Sequence, residues 1–256
     1  MKKKLLYLVL GFPLLLNVSC TKHYQMESIS HSRILIDSRY DAQPDAEAAM
    51  FIAPYKQKVD SVMSPVVGRV ARYMAAERPE SNLSNLLADI LVWAAGNYGE
   101  KVDFGIYNIG GIRAGFAEGD VNYGQVLDVA PFDNKICFLD LTGEKVLELF
   151  RQIAMRHGEG VSHAVRMRIS ADGKLLGAQI DGKEINESAN YRVATIDYVA
   201  QGNDQMEAFK AKTNVNSPQE EKNNMRFVIM DYFREQAKQG RVVDAVVEGR
   251  IVEVSE

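Results

Sequence analysis

Three short segments hold residue types suited to binding a flat, anionic ligand. In Asn108-Ile109-Gly110-Gly111-Ile112-Arg113 the glycines permit close backbone approach, and Arg113 offers a planar, permanently charged fork for phosphate or carboxylate. In Pro131-Phe132-Asp133-Asn134 an aromatic ring stands in a loop, where it either stacks on a base or fills the core. In Asp197-Tyr198-Val199-Ala200-Gln201-Gly202-Asn203-Asp204 a second ring is joined to a carboxylate across a Gly-Asn turn. Asp204 is able to accept hydrogen bonds from sugar hydroxyls or, equally, to cap a helix. Each segment alone also has an ordinary structural reading, including a solvent-facing Arg113 beside a tight turn.

Signals for catalysis are sparse. The sequence has four histidines, His23, His31, His157 and His163, with no HExxH or comparable ligand set around them, so surface histidines near a loop are expected rather than a metal site. No G-x-S-x-G elbow, P-loop or G-x-G-x-x-G opens a helix after a strand. Cys137 lies in the apolar run Ile136-Cys137-Phe138-Leu139 and reads as a small buried hydrophobe.

The elements that must carry these segments are legible in part. Leu83, Leu86, Leu87, Ile90 and Leu91 recur at helical spacing after Ser81, and Gly96 and Gly99 end the pattern. Val102, Phe104 and Ile106 alternate as a strand leading straight into the Asn108 turn. Ile136 to Leu141 reads as a strand, followed by a helix capped by Thr142 with Val146, Leu147, Phe150 and Ile153 on its apolar face. Val165 to Ile169, a hairpin at Asp172-Gly173 and Tyr191 to Thr195 form a β-rich stretch. Ser217-Pro218-Gln219-Glu220 predicts a capping box opening a long helix with Met225, Val228, Ile229, Tyr232 and Phe233 inward. A first helix is expected from Tyr55 to Met63, and Val66 to Val70 is ambiguous between strand and loop. The mixture argues for an α+β domain with a mixed sheet and packed helices.

Ahead of this domain, Lys2, Lys3 and Lys4 precede an apolar run from Leu5 to Leu16 and then Asn17-Val18-Ser19-Cys20. The run is shorter than the roughly 20 residues that span a bilayer, and a cleaved signal fits better. The arrangement resembles a bacterial lipoprotein signal with Cys20 as the lipidated residue, although Asn17 stands where Leu is usual. The expected organisation is therefore a signal peptide over residues 1–19, a lipidated tether over 20–55 and the domain over 56–256, held in the cell envelope and facing the periplasm or the cell surface. The formal net charge is -4, and residues 1–19 carry three lysines and no acid, which leaves the rest at -7. An acidic chain of this kind is not expected to bind nucleic acid.

Taken in order, the segments resemble the C-terminal, substrate-binding domain of the 5'-nucleotidase and UDP-sugar hydrolase family. Glu80-Ser81-Asn82-Leu83-Ser84-Asn85-Leu86 is similar to its opening helix with an Asn-x-x-Asn-Leu pattern, and Asn108 to Arg113 to its Asn-Gly-Gly-Gly-Ile-Arg turn. Pro131 to Asn134 resembles its Pro-Phe-Gly-Asn, Leu141-Thr142-Gly143 its strand-to-helix junction, the stretch ending at Asp204 its Gly-Gly-Asp, and Glu248-Gly249-Arg250-Ile251 its closing strand. Ile109 and Asn203 replace glycines of the pattern, Tyr198 stands where Phe is usual, and Pro79, with Arg78 just before it, occupies a place where some relatives carry a ligand-binding Arg.

The resemblance implies that Phe132 and Tyr198 sandwich a nucleobase, that Arg113 and Asn108 face the phosphate and nucleoside beside Gly111, and that Asp204 holds the ribose hydroxyls. It also implies a metallophosphoesterase half with Asp-x-His, Gly-Asp, Asn-His-Glu and Gly-His-x-His motifs, which these residues do not contain. The expectation is a chain inactive by itself, with no cofactor of its own, that binds substrate for a separate metallophosphoesterase chain carrying the divalent metals in nucleotide catabolism. The alternatives are a non-enzymatic envelope receptor for nucleosides or nucleotides, and an assembly module with a vestigial pocket.

Overall fold

A computed structural model describes residues 25–42 and 44–254. The signal segment and the lipidation site at Cys20 lie outside the described residues. Helix α1, Ala46–Met63, starts well before the expected Tyr55. The Asp45 carboxylate accepts from the Glu47 and Ala48 amides at 3.0 and 3.1 Å, and the alanine-rich first turns favour helix so strongly that Pro54 is carried inside it. The chain divides into one unit ending at Ile52 and a second beginning at Ala53. The first includes a short 3-10 turn over Ser38–Tyr40, capped by Asp37.

The second unit holds β1 (Val66–Val70), α2 (Asn82–Ala95), β2 (Phe104–Tyr107), β3 (Gly119–Asn122), α3 (Tyr123–Val129), β4 (Ile136–Thr142), α4 (Gly143–Met155) and β5 (Gly160–Val161). It continues with β6 (Val165–Ser170), β7 (Leu175–Ile180), β8 (Lys183–Glu184), β9 (Asn190–Ile196), α5 (Asp197–Ala200), β10 (Thr213–Asn216), α6 (Met225–Lys238) and β11 (Ile251–Val254). The main sheet runs β10-β4-β9-β2-β5; a second runs β11-β6-β7-β8, and β1 pairs with β3. The expected α+β class with a mixed sheet holds: β2 lies parallel to β9 and β11 to β6, while the other pairs are antiparallel.

Strand directions set the position of everything that follows. Because β2 and β9 are parallel, with Phe104 opposite Val193, their C-terminal ends lie at one edge of the sheet. Strand β4 runs antiparallel to β9, with Ile136 opposite Ile196, so its N-terminal end reaches the same edge. Strand β5 runs antiparallel to β2, with Gly160 opposite Tyr107, and also begins there. Four chain segments distant in sequence therefore meet outside one sheet edge, with a buried core of Phe104, Ile106, Phe138, Phe150 and Val193 behind them.

Helix α2 packs on β2, β5 and β9. The helix begins beside Ser81 as expected, and Ser81 caps it in a capping box with Ser84. The same helix is tied to the end of the chain by charge. The almost fully buried Arg250 makes a two-pronged contact with Asp89 at 2.8 and 2.7 Å, and Glu80 accepts from the Glu248 and Arg250 amides at 2.8 and 2.7 Å. Such a buried cation is tolerable only because each of its prongs has a partner.

The capping box expected at Ser217 does not open a helix. Strand β10 pairs with β4, Asn224 bridges Lys135, and the Met225 amide donates to the Asn134 carbonyl at 2.8 Å. The chain is thus held against β4 as far as Asn224, and the Ser217 hydroxyl accepts from Gln219 instead. Helix α6 begins only at Met225, and packs on β1, α2 and α3. Its apolar face is the expected one, with Met225, Val228, Ile229 and Phe233 buried. The stretch Val66–Val70 is a strand, and Thr142 caps α4.

Candidate functional site

Each expected ligand segment emerges from the shared sheet edge. After β2, Asn108 precedes a 3-10 turn over Ile109–Gly111, with no capping bond from its own side chain. The turn is cramped: a Cβ on Gly111 would stand 2.8 Å from Asn108 Oδ1, so only glycine leaves the carboxamide in place. Asn108 Nδ2 donates instead across the edge to Asp204 Oδ2 at 2.7 Å. The Arg113 backbone is anchored by its amide, which donates to the Val129 carbonyl at 3.0 Å. Its guanidinium is exposed, touching the Gly110 carbonyl at 3.3 Å and lying 5.9 Å from the centre of the Phe132 ring.

The loop before β4 presents Phe132, which is 46% exposed and so does not fill the core. Arg226 from α6 holds this loop by an ion pair with Asp133 and a bond to the Pro131 carbonyl at 3.1 Å. After β9, Asp197 Oδ1 accepts from the Lys135 and Tyr198 amides at 3.1 and 2.8 Å, binding this corner to the start of β4. Tyr198 is 39% exposed, and its carbonyl accepts from Asn203 Nδ2 at 2.7 Å. The side chain that replaces a glycine of the family pattern therefore pins the aromatic residue.

Asp204 caps no helix. It stands in left-handed backbone with φ 55°, followed by Gln205 at 61°, a conformation Asp tolerates better than most residues. Its second oxygen, Oδ1, accepts a long bond from the Tyr198 hydroxyl at 3.4 Å. The negative charge of Asp204, reinforced by desolvation, pushes the Tyr198 phenol above its ordinary range, with Arg156 opposing. Tyr198 thus remains a protonated donor.

Asn108, Gly111, Arg113, Phe132, Tyr198 and Asp204, the six residues singled out in the sequence, line one cavity of about 340 Å³, joined by Gly110 and Asn134. The structure brings all six together. Asn134 was legible only as part of the Pro-Phe-Asp-Asn segment, and its place in the cavity follows from that loop's position at the start of β4. Arg78 does not line the cavity: its Nε donates to the Gly158 carbonyl at 2.9 Å, and its terminal nitrogen pairs with Glu159 at 2.5 Å. His163 Nδ1 lies 2.7 Å from Glu248 and His157 Nδ1 3.9 Å from Glu253, both at the surface. Among the described residues, no group of three or more His, Cys, Asp or Glu side chains is placed to hold a metal ion. Two aromatic faces, a carboxylate and a guanidinium around a volume of this size make a cleft for a small, flat, polar and anionic molecule.

Residues 62–211 match the family described as 5'-nucleotidase, C-terminal domain, and the chain belongs to that family. It is 29% identical over 251 residues to the trifunctional nucleotide phosphoesterase protein YfkN of Bacillus subtilis, covering 90% of this chain and 16% of that protein. It is 27% identical over 172 residues to a 5'-nucleotidase of Vibrio cholerae, covering 64% of this chain and 30% of that protein. A crystal structure of a 5'-nucleotidase precursor from Thermus thermophilus superposes with a TM-score of 0.70 at 26% identity, covering 84% of this chain and 45% of that one. The chain thus spans less than half the length of each of these relatives.

Proposed function

We propose that this domain binds a nucleotide as the substrate-binding part of a 5'-nucleotidase-type hydrolase. Phe132 and Tyr198 hold the base between their rings, Asp204 accepts from the ribose hydroxyls, and Arg113 meets the phosphate. The observation that carries this reading is the convergence of those four side chains, from three separate segments, on one cavity. Stacking contributes about 1 to 3 kcal/mol per base in single-strand binders, and a charged hydrogen bond to phosphate adds about as much. The nearness of Arg113 to the Phe132 ring suits a ligand whose base and phosphate are bridged by a single sugar.

Hydrolysis, in this proposal, takes place on a metallophosphoesterase chain that carries the divalent metals and receives the nucleotide from this domain. The signal-like N-terminus supports placing the pair in the cell envelope with Cys20 as the lipid anchor. Replacing Cys20 by Ser then moves the protein from the membrane to the soluble envelope fraction; continued attachment would refute the anchor.

Calorimetry with AMP and adenosine tests the binding reading. Arg113→Ala weakens AMP about tenfold or more, the order of a lost charge-assisted bond, and leaves adenosine within about twofold. Equal losses for both ligands would remove Arg113 from the phosphate. Adding this chain to a purified metallophosphoesterase with AMP and a divalent metal raises phosphate release. Tight binding without any such gain favours a nucleotide receptor instead.

A further inference from the structure

The turn that carries Asn108 and Gly111 is held from below by a buried carboxylate. Glu159 stands just before β5, directly behind the turn, and its side chain is fully buried. One oxygen, Oε2, accepts from the Ile109 amide at 2.5 Å. The other, Oε1, accepts from Arg78 at 2.5 Å and from Arg156 Nε at 2.7 Å. The backbone beside it is equally confined: Gly158 has φ 110°, and a Cβ there would stand 2.2 Å from the Pro79 carbonyl oxygen.

We infer that Glu159 is the positioning residue of the ligand-bearing turn, acting on the cavity through the Ile109 amide. A buried carboxylate is costly unless its charge and lone pairs are met, and here two guanidinium groups and one amide meet them. The two arginines come from separate places, Arg78 ahead of α2 and Arg156 at the end of α4, so the carboxylate is fixed from two sides before it reaches the turn. The free amide at the start of a helical turn ordinarily needs a partner. Asn108 makes no capping bond to the turn, and Glu159 satisfies the Ile109 amide at its start. The Asn108 carboxamide, carried on the same turn, donates through Nδ2 to Asp204. Glu159 therefore sets the position of Asn108 and, through the same turn, of Gly110, Gly111 and the backbone leading to Arg113. It touches no ligand itself, since it does not line the cavity.

The inference rests on the nucleotide reading of the cavity, and its test separates the two. In Glu159→Gln the Ile109 amide loses a charged acceptor, so its proton resonance moves upfield and exchanges faster with solvent. The dissociation constants for AMP and for adenosine rise together, by about tenfold, because the whole turn shifts. This contrasts with Arg113→Ala, which separates the two ligands. An unmoved Ile109 resonance, or a moved resonance with both affinities within about twofold of wild type, overturns the positioning role. Should Glu159→Gln fail to fold, Arg156→Gln removes one cation and keeps the carboxylate; affinities for both ligands then fall together by a smaller factor, and unchanged affinities overturn the role. If the wild-type protein binds neither AMP nor adenosine, the nucleotide reading fails, and the Ile109 resonance alone decides whether Glu159 holds the turn.

Discussion

Asn108 donates from Nδ2 to Asp204 Oδ2 at 2.7 Å, joining the turn after one strand to the turn after its parallel neighbour across 96 positions of sequence. The bond orients a carboxylate whose own backbone is in left-handed geometry, and it leaves Asp204 Oδ1 and the Tyr198 hydroxyl facing each other in the cavity.

That pairing predicts non-additive losses. Asn108→Ala and Asp204→Asn, the latter chosen because Asn tolerates the same backbone, each weaken adenosine binding. The double variant is little worse than either single one, with a coupling of about 1 to 2 kcal/mol. A double-mutant cycle by calorimetry measures it, and losses that simply add would mean that Asn108 does not act through Asp204.

Gly111 should be intolerant for a steric reason. A Cβ 2.8 Å from Asn108 Oδ1 pushes the carboxamide off Asp204, so Gly111→Ala costs about 1 to 3 kcal/mol of stability and weakens ligand binding. Gly96→Ala, where nothing lies within 4 Å of the new Cβ, is the control. Thermal unfolding and titration with AMP distinguish the two, and equal behaviour would show that the turn relaxes freely.

An acid-sensitive contribution to stability sits away from the cavity. Arg192 makes a two-pronged contact with Glu100 at 2.9 and 2.7 Å, and Asn216 also donates to that carboxylate. The hydrogen bond from Arg192 is the main force holding the Glu100 carboxyl below its ordinary range, against desolvation. A carboxyl depressed in the folded state stabilises fully above its unfolded pKa, about 4.3, and loses that contribution as pH falls through the folded value. Glu100→Gln therefore lowers the melting temperature at pH 7 and flattens its fall below about pH 4. Parallel profiles for the two proteins would show that the pair contributes nothing.

Local signals explain what was legible without coordinates. The Thr142 cap, the helix start beside Ser81 and the periodicity of α2 are decided within a few residues, and the structure keeps them. Helix α6 starts later than the capping pattern at Ser217 predicts, because pairing with β4, more than 70 positions earlier, overrules that local signal. Helix α1 begins ahead of Pro54, a residue that ordinarily ends or opens a helix, because the Asp45 cap and the alanines beyond it are stronger. Phe132 carried two readings, stacking platform or core residue. Only its exposure at the mouth of the cavity separates them.

The order and types of the side chains, read along the chain, determined the family and the candidate ligand residues, because turn glycines, an arginine fork and paired aromatics carry their chemistry locally. Tertiary structure alone decided that they form one site. Parallel pairing of β2 with β9, with β4 and β5 antiparallel beside them, brings four distant segments to one sheet edge. It also decided the roles of Arg78 and Glu159, which no spacing announces. A buried carboxylate takes whichever cations and amides the fold delivers to it, and beside the neighbouring Arg156 two of those partners, Ile109 and Arg78, lie about 50 and 80 positions away.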